Sequence, residues 1–459
     1  MHSDSAPTIA DLHAAYAGGT TAAATVAATY RRIAAVDDPG IFIHLRPEAD
    51  VLAEAAALPP FDPAAYPLWG VPVAVKDNID VAGLPTTAAC PAFAFVPDRS
   101  ATVVEKLVAA GALIIGKTNL DQFATGLVGV RSPYPVPQNA FDPARVPGGS
   151  SSGSAIAVAQ GIVPIALGTD TAGSGRVPAG LNDLVGLKPS LGALSTRGVL
   201  PACRTLDCVS VFARTVDDAF AAFRVMRGYD AEDTYSRPAP DLLPADAAAI
   251  SRLGVPRPAD RLFFGDGAMA EAYEAALGVA TSLAGETTEV DLTAFFAVAK
   301  LLYEGPWVAE RHAAMRAFLA TNAADVHPVT RAIVGAADSF SATDAFEGLY
   351  RLAALKRATA GVWEKVEALV VPTAPIFPTL ADLEADPIGP NSRLGTYTNF
   401  VNLLDLAALS VPGPFRPDGL PAGITLIGPR GSDAALARLG AAFVAAAGDR
   451  RRAAASRAA

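Results

Sequence analysis

Histidine, cysteine and lysine are all scarce in this chain of 459 residues, and each scarcity removes a class of chemistry. The five histidines (His2, His13, His44, His312 and His327) fall outside every serine-rich motif. No Gly-x-Ser-x-Gly elbow is present for them to serve, which argues against an α/β-hydrolase triad. Three cysteines, Cys90, Cys203 and Cys208, are too few for a disulfide framework. Cys203 and Cys208 lie five apart with no neighbouring His or Cys pair, so a structural zinc site is not expected either. A reduced, cytoplasmic setting fits this usage. The apolar runs are broken by Gly, Pro or charge before they reach the roughly 20 residues of a membrane span. The N-terminus also lacks the basic-then-apolar layout of a signal peptide, so a soluble protein is expected. Positive charge is not in excess: the net charge is -10, which argues against nucleic acid as a default partner. No Gly-Lys-Ser/Thr follows the glycine-rich stretches, so a phosphate-cradling loop is a weak reading.

What is present is apolar and alanine-rich. Half the residues are hydrophobic (51%) and only 18% are charged, enough for a large core in one or two subdomains. Helical spacing runs through 8–57, with Thr8 and Thr20 as candidate caps. Leu68–Val75 reads as a buried strand carrying Lys76 at its end. A helix at Ala101–Ala110 then leads into a strand at Ala112–Lys117, the helix-then-strand order of a parallel or mixed sheet. Ala155–Gln160 reads as helix, Val163–Leu167 as strand, Thr169–Gly175 as a turn and Val185–Pro189 as extended. Thr215–Arg227 reads as helix and 237–262 as a surface connection. Helices are expected at 266–281, 292–319, 344–366, 400–408 and 432–447, and strands at 368–371 and 422–427.

Seven lysines stand against twenty-nine arginines, so a lysine at the end of an apolar strand is conspicuous. Between Gly148 and Ser174 two Ser/Gly-rich elements flank a single apolar run, and Ser150 and Ser174 lie 24 positions apart. A lysine, a bridging serine and a nucleophilic serine suffice to open an amide without histidine or metal. Burial lowers a lysine pKa and frees the amine to act as a base. A hydroxyl both donates and accepts, so Ser150 can pass a proton from Ser174 to Lys76. The small residues of Thr171-Ala172-Gly173-Ser174 let backbone N–H groups converge as an oxyanion hole. Taken singly these features stay open: a Gly/Ser cluster is as well a flexible loop, and a lone strand-end lysine as well snorkels to solvent.

Three blocks together resemble the amidase signature family over most of the chain. They are Gly70-Val71-Pro72-Val73-Ala74-Val75-Lys76-Asp77, Pro147-Gly148-Gly149-Ser150-Ser151-Ser152-Gly153 and Gly168-Thr169-Asp170-Thr171-Ala172-Gly173-Ser174. The resemblance implies an α/β/α fold with a central mixed β-sheet flanked by helices. The amidase domain would span residues 1–447, with a helical insert at about 237–366 forming part of the substrate pocket and a frayed tail at 448–459. It implies Ser174 as nucleophile, Ser150 as bridging serine on a cis peptide, and Lys76 as base. The backbone N–H groups of Thr171, Ala172, Gly173 and Ser174 would hold the oxyanion, with Asp170 and Arg176 as scaffold and no cofactor or metal.

The blocks Asp77–Gly83, Thr118–Gly126, Ser195–Gly198 and Pro201–Cys208 are similar to the allophanate hydrolase branch of that family. This implies hydrolysis of the terminal C–N bond of allophanate, releasing ammonia and N-carboxycarbamate. Tyr303 and Arg311, eight apart and so near one helix face, would grip the substrate carboxylate. Many members carry a further C-terminal domain acting on the carboxylated product, which these 459 residues do not include. The expected partner is a small carboxylated urea; nucleic acid and membrane are not expected, and a homodimer stays open. The alternatives are an amidase on another urea-type amide, an amidotransferase A-type subunit, and a catalytically silent scaffold. The acidic, lysine-poor composition speaks against a tRNA surface, and the intact Lys76, Ser150 and Ser174 against a scaffold.

Overall fold

Short aliphatic and β-branched runs, ended by Gly, Pro or a helix cap, form the strands of one mixed sheet. They are β1 (Phe42–Leu45), β2 (Pro72–Lys76), β3 (Leu113–Thr118), β4 (Ile165–Asp170), β5 (Val185–Lys188) and β6 (Cys208–Ala213). The second half adds β7 (Arg252–Pro256), β8 (Glu286–Val290), β9 (Ala368–Pro372), β10 (Leu406–Pro412) and β11 (Gly423–Pro429). The order across the 11-stranded sheet is β1-β3-β2-β4-β6-β5-β10-β11-β9-β7-β8, with helices packed on its two faces. The computed structural model describes residues 7–238 and 244–458, with side chains undescribed at 245 and beyond 448. Part of the expected surface connection, at 239–243, and residue 459 of the expected frayed tail at 448–459 lie outside the described residues, and the last helix, expected to end at 447, runs Asp433–Ala458.

Two parallel pairings matter most for function. β2 runs parallel to both β3 and β4, with Val73 opposite Ile165 and Val75 opposite Leu167. The carboxyl ends of β2 and β4 therefore lie side by side, the usual place for a site in sheets of this kind. Every residue of these strands is buried, and most belong to the main apolar core, which continues under the helix Ser152–Ala159. A second apolar cluster joins Ala172, Cys203 and Leu206 to Phe295, Trp307 and Phe400, packing the helices of the 290s to 320s against the end of β4.

Several elements differ from the sequence expectation. Residues 400–408, expected as a helix, split into a short helix Asn399–Leu403 and the central strand β10. Leu406-Ala407-Ala408-Leu409 are good helix formers, but a slot between β5 and β11 pairs their backbone on both sides, and tertiary context overrides propensity. Within 237–262, the span of the expected connection, lies β7, which pairs in parallel with β8 and β9. The 237–366 segment thus extends the sheet edge as well as supplying helices. The expected helix 292–319 is two helices, Thr293–Glu304 and Trp307–Asn322, separated at Gly305-Pro306, because proline cannot continue a helix from the preceding turn. Thr8 caps the first helix with a capping box, but the second cap is Thr21 and not Thr20. No helix among the described residues is long and apolar enough to cross a membrane.

Candidate active site

Lys76 ends β2 and is completely buried. Its Nζ lies 2.8 Å from Ser150 Oγ and 2.7 Å from Thr169 Oγ1. Thr169 is placed there by the parallel β2–β4 pairing, and its hydroxyl also receives Asn78 Nδ2 at 3.4 Å. The other buried lysines have different company. Lys117 meets the Asp77 carboxylate at 3.1 Å, and Lys188 donates to Pro189 O at 2.7 Å. Among the described residues Lys76 alone of the three touches only hydroxyls. Burial pushes its pKa down to about 7, against the opposing pull of the Asp121, Asp170 and Asp207 carboxylates. A substantial neutral fraction at ordinary pH is what a base requires.

Ser150 sits in the loop before the helix Ser152–Ala159, and the Gly149–Ser150 peptide is cis. The loop is fixed at both ends: Gly149 N–H donates to Leu127 O at 2.9 Å, and Asp121 N–H donates to Ser150 O at 3.0 Å. A Cβ on Gly149 would run into the Asp121 carboxylate, which itself accepts from the N–H groups of Val128, Gly129 and Arg131. Ser151, and not Ser150, takes the cap position of the helix, leaving the Ser150 hydroxyl to Lys76.

The turn after β4 presents Ser174, which is 3% exposed. Asp170 organises this turn from beneath. It receives Gly173 N–H at 2.9 Å and Gly175 N–H at 3.0 Å, and Arg176 grips it through Nε and Nη2, both at 2.8 Å. Burial alone would raise the Asp170 carboxyl, but the Arg176 guanidinium and these donors hold it below the usual range. The expected oxyanion set needs one correction here. The Gly173 N–H is already engaged by Asp170, whereas those of Thr171, Ala172 and Ser174 have no protein acceptor among the described residues. Gly173 has φ 135°, and a Cβ there would also strike the Thr398 hydroxyl. Ser174 Oγ lies 3.5 Å from Gly126 O, and no Ser150–Ser174 hydrogen bond is formed. Because the Asp170–Arg176 pair is fully buried, Arg176→Ala leaves a carboxylate without its cation. It should lower unfolding free energy by about 3–5 kcal/mol in urea titrations; a loss below about 1 kcal/mol would show that the pair does not organise the turn.

Tyr303 and Arg311 meet although the break at Gly305-Pro306 puts them on different helices, so the single-face argument from their spacing fails while the pairing holds. Arg311 Nη2 donates to Tyr303 Oη at 3.1 Å, and the guanidinium carbon stands 4.9 Å from the ring centroid. Arg311 is buried, its Nη1 reaches Thr125 Oγ1 at 3.4 Å, and its Nε has no partner. Among the described residues no carboxylate lies within ion-pair distance of it. Residues 125 and 126 link the two halves of the site: Thr125 meets Arg311, and Gly126 O meets Ser174. Tyr303 also lines a largely apolar cavity of about 670 Å³ between the helices of the insert and residues 388–399.

Sequence reasoning missed Thr169, Thr125 and Asp207. Asp207 receives the Thr171 hydroxyl at 2.5 Å, and burial pushes its carboxyl up to about 6 despite that bond. A polar residue at the end of an otherwise apolar buried strand is the signal that marks Thr169. Among the described residues no group of three or more His, Cys, Asp or Glu side chains is arranged to hold a metal ion.

Comparison with known proteins places this geometry. The family model described as Amidase matches residues 24–437. The urea amidolyase of Saccharomyces cerevisiae is 49% identical over 376 residues, covering 81% of this chain and 20% of its own length. An allophanate hydrolase of Kluyveromyces lactis superposes with a TM-score of 0.89 at 44% identity, covering 96% of this chain and 73% of that one. The A-type subunit of the glutamyl-tRNA(Gln) amidotransferase of Chloroflexus aggregans is 35% identical, covering 95% of both chains. The chain thus spans about a fifth of the urea amidolyases it matches. With the match extending over most of its length, and with a buried lysine bonded to a serine on a cis peptide and a further serine in the glycine turn after the neighbouring strand, the chain belongs to the amidase family.

Proposed function

We propose that this protein hydrolyses the terminal C–N bond of allophanate, releasing ammonia and N-carboxycarbamate. Neutral Lys76 takes the Ser150 proton as Ser150 takes that of Ser174, and Ser174 Oγ adds to the ureido carbonyl carbon. The N–H groups of Thr171, Ala172 and Ser174 stabilise the resulting oxyanion. The relay then returns its proton to the departing nitrogen, ammonia leaves, and water releases the acyl group by the same steps. The observation that supports the substrate assignment is Arg311: a buried guanidinium, stacked on Tyr303, with no carboxylate within ion-pair distance among the described residues, Asp207 and Glu310 acting on it only from farther away. A substrate carboxylate supplies the direct ion pair that these more distant groups do not, and guanidinium matches it in a planar, bidentate manner. The likeness to urea amidolyases and to the K. lactis allophanate hydrolase supports the same choice over the amidotransferase subunits, which are less similar.

The test is ammonia release from allophanate, biuret, malonamate, glutamine and simple aliphatic amides. Allophanate should be preferred, and turnover of aliphatic amides with none of allophanate would sink the assignment. Arg311→Ala should raise KM for allophanate by about 30- to 100-fold while changing that of an uncharged amide little. Equal effects on both substrates would make Arg311 structural.

A further inference from the structure

The loop between β5 and β6 touches both halves of the site at once. At one end Asp207 accepts from Thr171 Oγ1 at 2.5 Å, the first residue of the nucleophile turn. The same carboxylate accepts from Ala202 N–H at 2.8 Å and Cys203 N–H at 3.2 Å, which closes the loop on itself. At the other end Thr205 donates to Glu310 through its N–H at 2.7 Å and its hydroxyl at 2.8 Å. Glu310 directly precedes Arg311 on the helix Trp307–Asn322. The loop is also held by packing. Cys203 and Leu206 are buried with Ala172 and Trp307, and Asn402 Nδ2 donates to both Leu206 O and Asp170 O at 2.8 Å.

We infer that residues 202–207 form a strut that sets the distance between the Arg311 guanidinium and the Ser174 turn, with Asp207 and Glu310 as positioning residues at its two ends. This inference rests on the proposed role of Arg311. Holding a substrate by a carboxylate at one end accelerates attack at the other only if the two grips keep a fixed spacing, since sub-ångström misplacement forfeits the advantage of orientation. The strut supplies that spacing for a substrate that uses both grips. An uncharged amide engages only the nucleophile turn, so it reads the Thr171 end of the strut and not the Glu310 end.

A double-mutant cycle of Thr171→Val and Glu310→Ala, read as kcat/KM, separates this from a merely structural loop. On allophanate each single variant should lose about three- to tenfold, and the double variant should lose little more than the worse single, because a strut freed at one end no longer transmits position. On an uncharged amide Thr171→Val should lower kcat, Glu310→Ala should have no effect, and the two should combine additively. Thr171→Ser should keep the activity that Thr171→Val loses, and Thr205→Val, at an exposed position, should show part of the Glu310→Ala loss without touching the helix, since it removes the hydroxyl bond and keeps the N–H bond. Additive losses on allophanate, or a Glu310→Ala loss shared equally by both substrates, would overturn the strut while leaving the hydrolase reading intact. Failure of the unaltered enzyme to release ammonia from allophanate would overturn both.

Discussion

Ser174→Ala should lower kcat for ammonia release by about 10⁴-fold or more, while KM changes little. The loss is large because, in the proposed mechanism, the Ser174 hydroxyl supplies the electrons of the new bond. The substrate grip survives, since Tyr303 and Arg311 hold each other at 3.1 Å independently of Ser174. The turn survives as well, because Asp170 holds it through Gly173, Gly175 and Arg176 and not through the serine side chain. The expected residue of activity comes from the oxyanion donors and from binding. Two measurements check the result together: steady-state ammonia release, and mass spectrometry of the quenched enzyme for an acyl adduct at Ser174. A loss smaller than about tenfold, or an adduct persisting in the variant, would move the nucleophile elsewhere.

Lys76→Met should abolish turnover and yet stabilise the fold. The activity loss, about 10³-fold or more, reflects removal of the proposed base, which contacts Ser150. The gain in stability follows from linkage. An unfolded lysine titrates near 10.5, whereas burial holds Lys76 at about 7, so between those values the unfolded chain binds the extra proton. Lys76 therefore detracts from stability fully below about pH 7, less as pH rises, and not at all near pH 10.5. Methionine fills a similar volume without charge, though it leaves the Ser150 and Thr169 hydroxyls short of one partner, which offsets part of the gain. A net rise in Tm of roughly 2–6 °C at pH 6.5 is expected, shrinking toward zero near pH 10. In the parent enzyme kcat/KM should climb as pH passes through about 7, when Lys76 loses its proton. A variant less stable than the parent at pH 6.5, or an activity profile flat from pH 6 to 8, would contradict a depressed Lys76.

The site was legible where chemistry dictates residue type and the chain delivers it locally. Lys76 at the end of an apolar run, Ser150 after two glycines and Ser174 in a turn of small residues all carry their meaning in the neighbouring few positions. Thr169 and Asp207 do not, because their partners arrive by strand pairing and by loop closure over 36 to 93 positions. The same holds for the fold. β2, β3 and β4 are buried apolar strands that declare themselves, whereas β10 is written in residues that favour helix and becomes a strand only because β5 and β11 leave a slot for it. β7 carries Gly254 and Pro256 inside five residues, a composition that reads as loop until β8 and β9 pair with it. Tyr303 and Arg311 were found by resemblance. Their meeting depends on the bend at Gly305-Pro306, which a continuous helical repeat would not supply.

That bend lies wholly within the later of two separate stretches of chain. The proposed bond-breaking groups lie between 72 and 174, whereas the proposed grip on a carboxylate lies on two helices between 293 and 322. Selection for a different substrate can therefore rewrite the helix pair while the strand-borne machinery goes untouched. The constraint on such a change is dimensional: any replacement pair must still meet Thr205 at the right height. Lineages diverging from this scaffold should thus differ most in the later segment and covary there with the loop at 202–207.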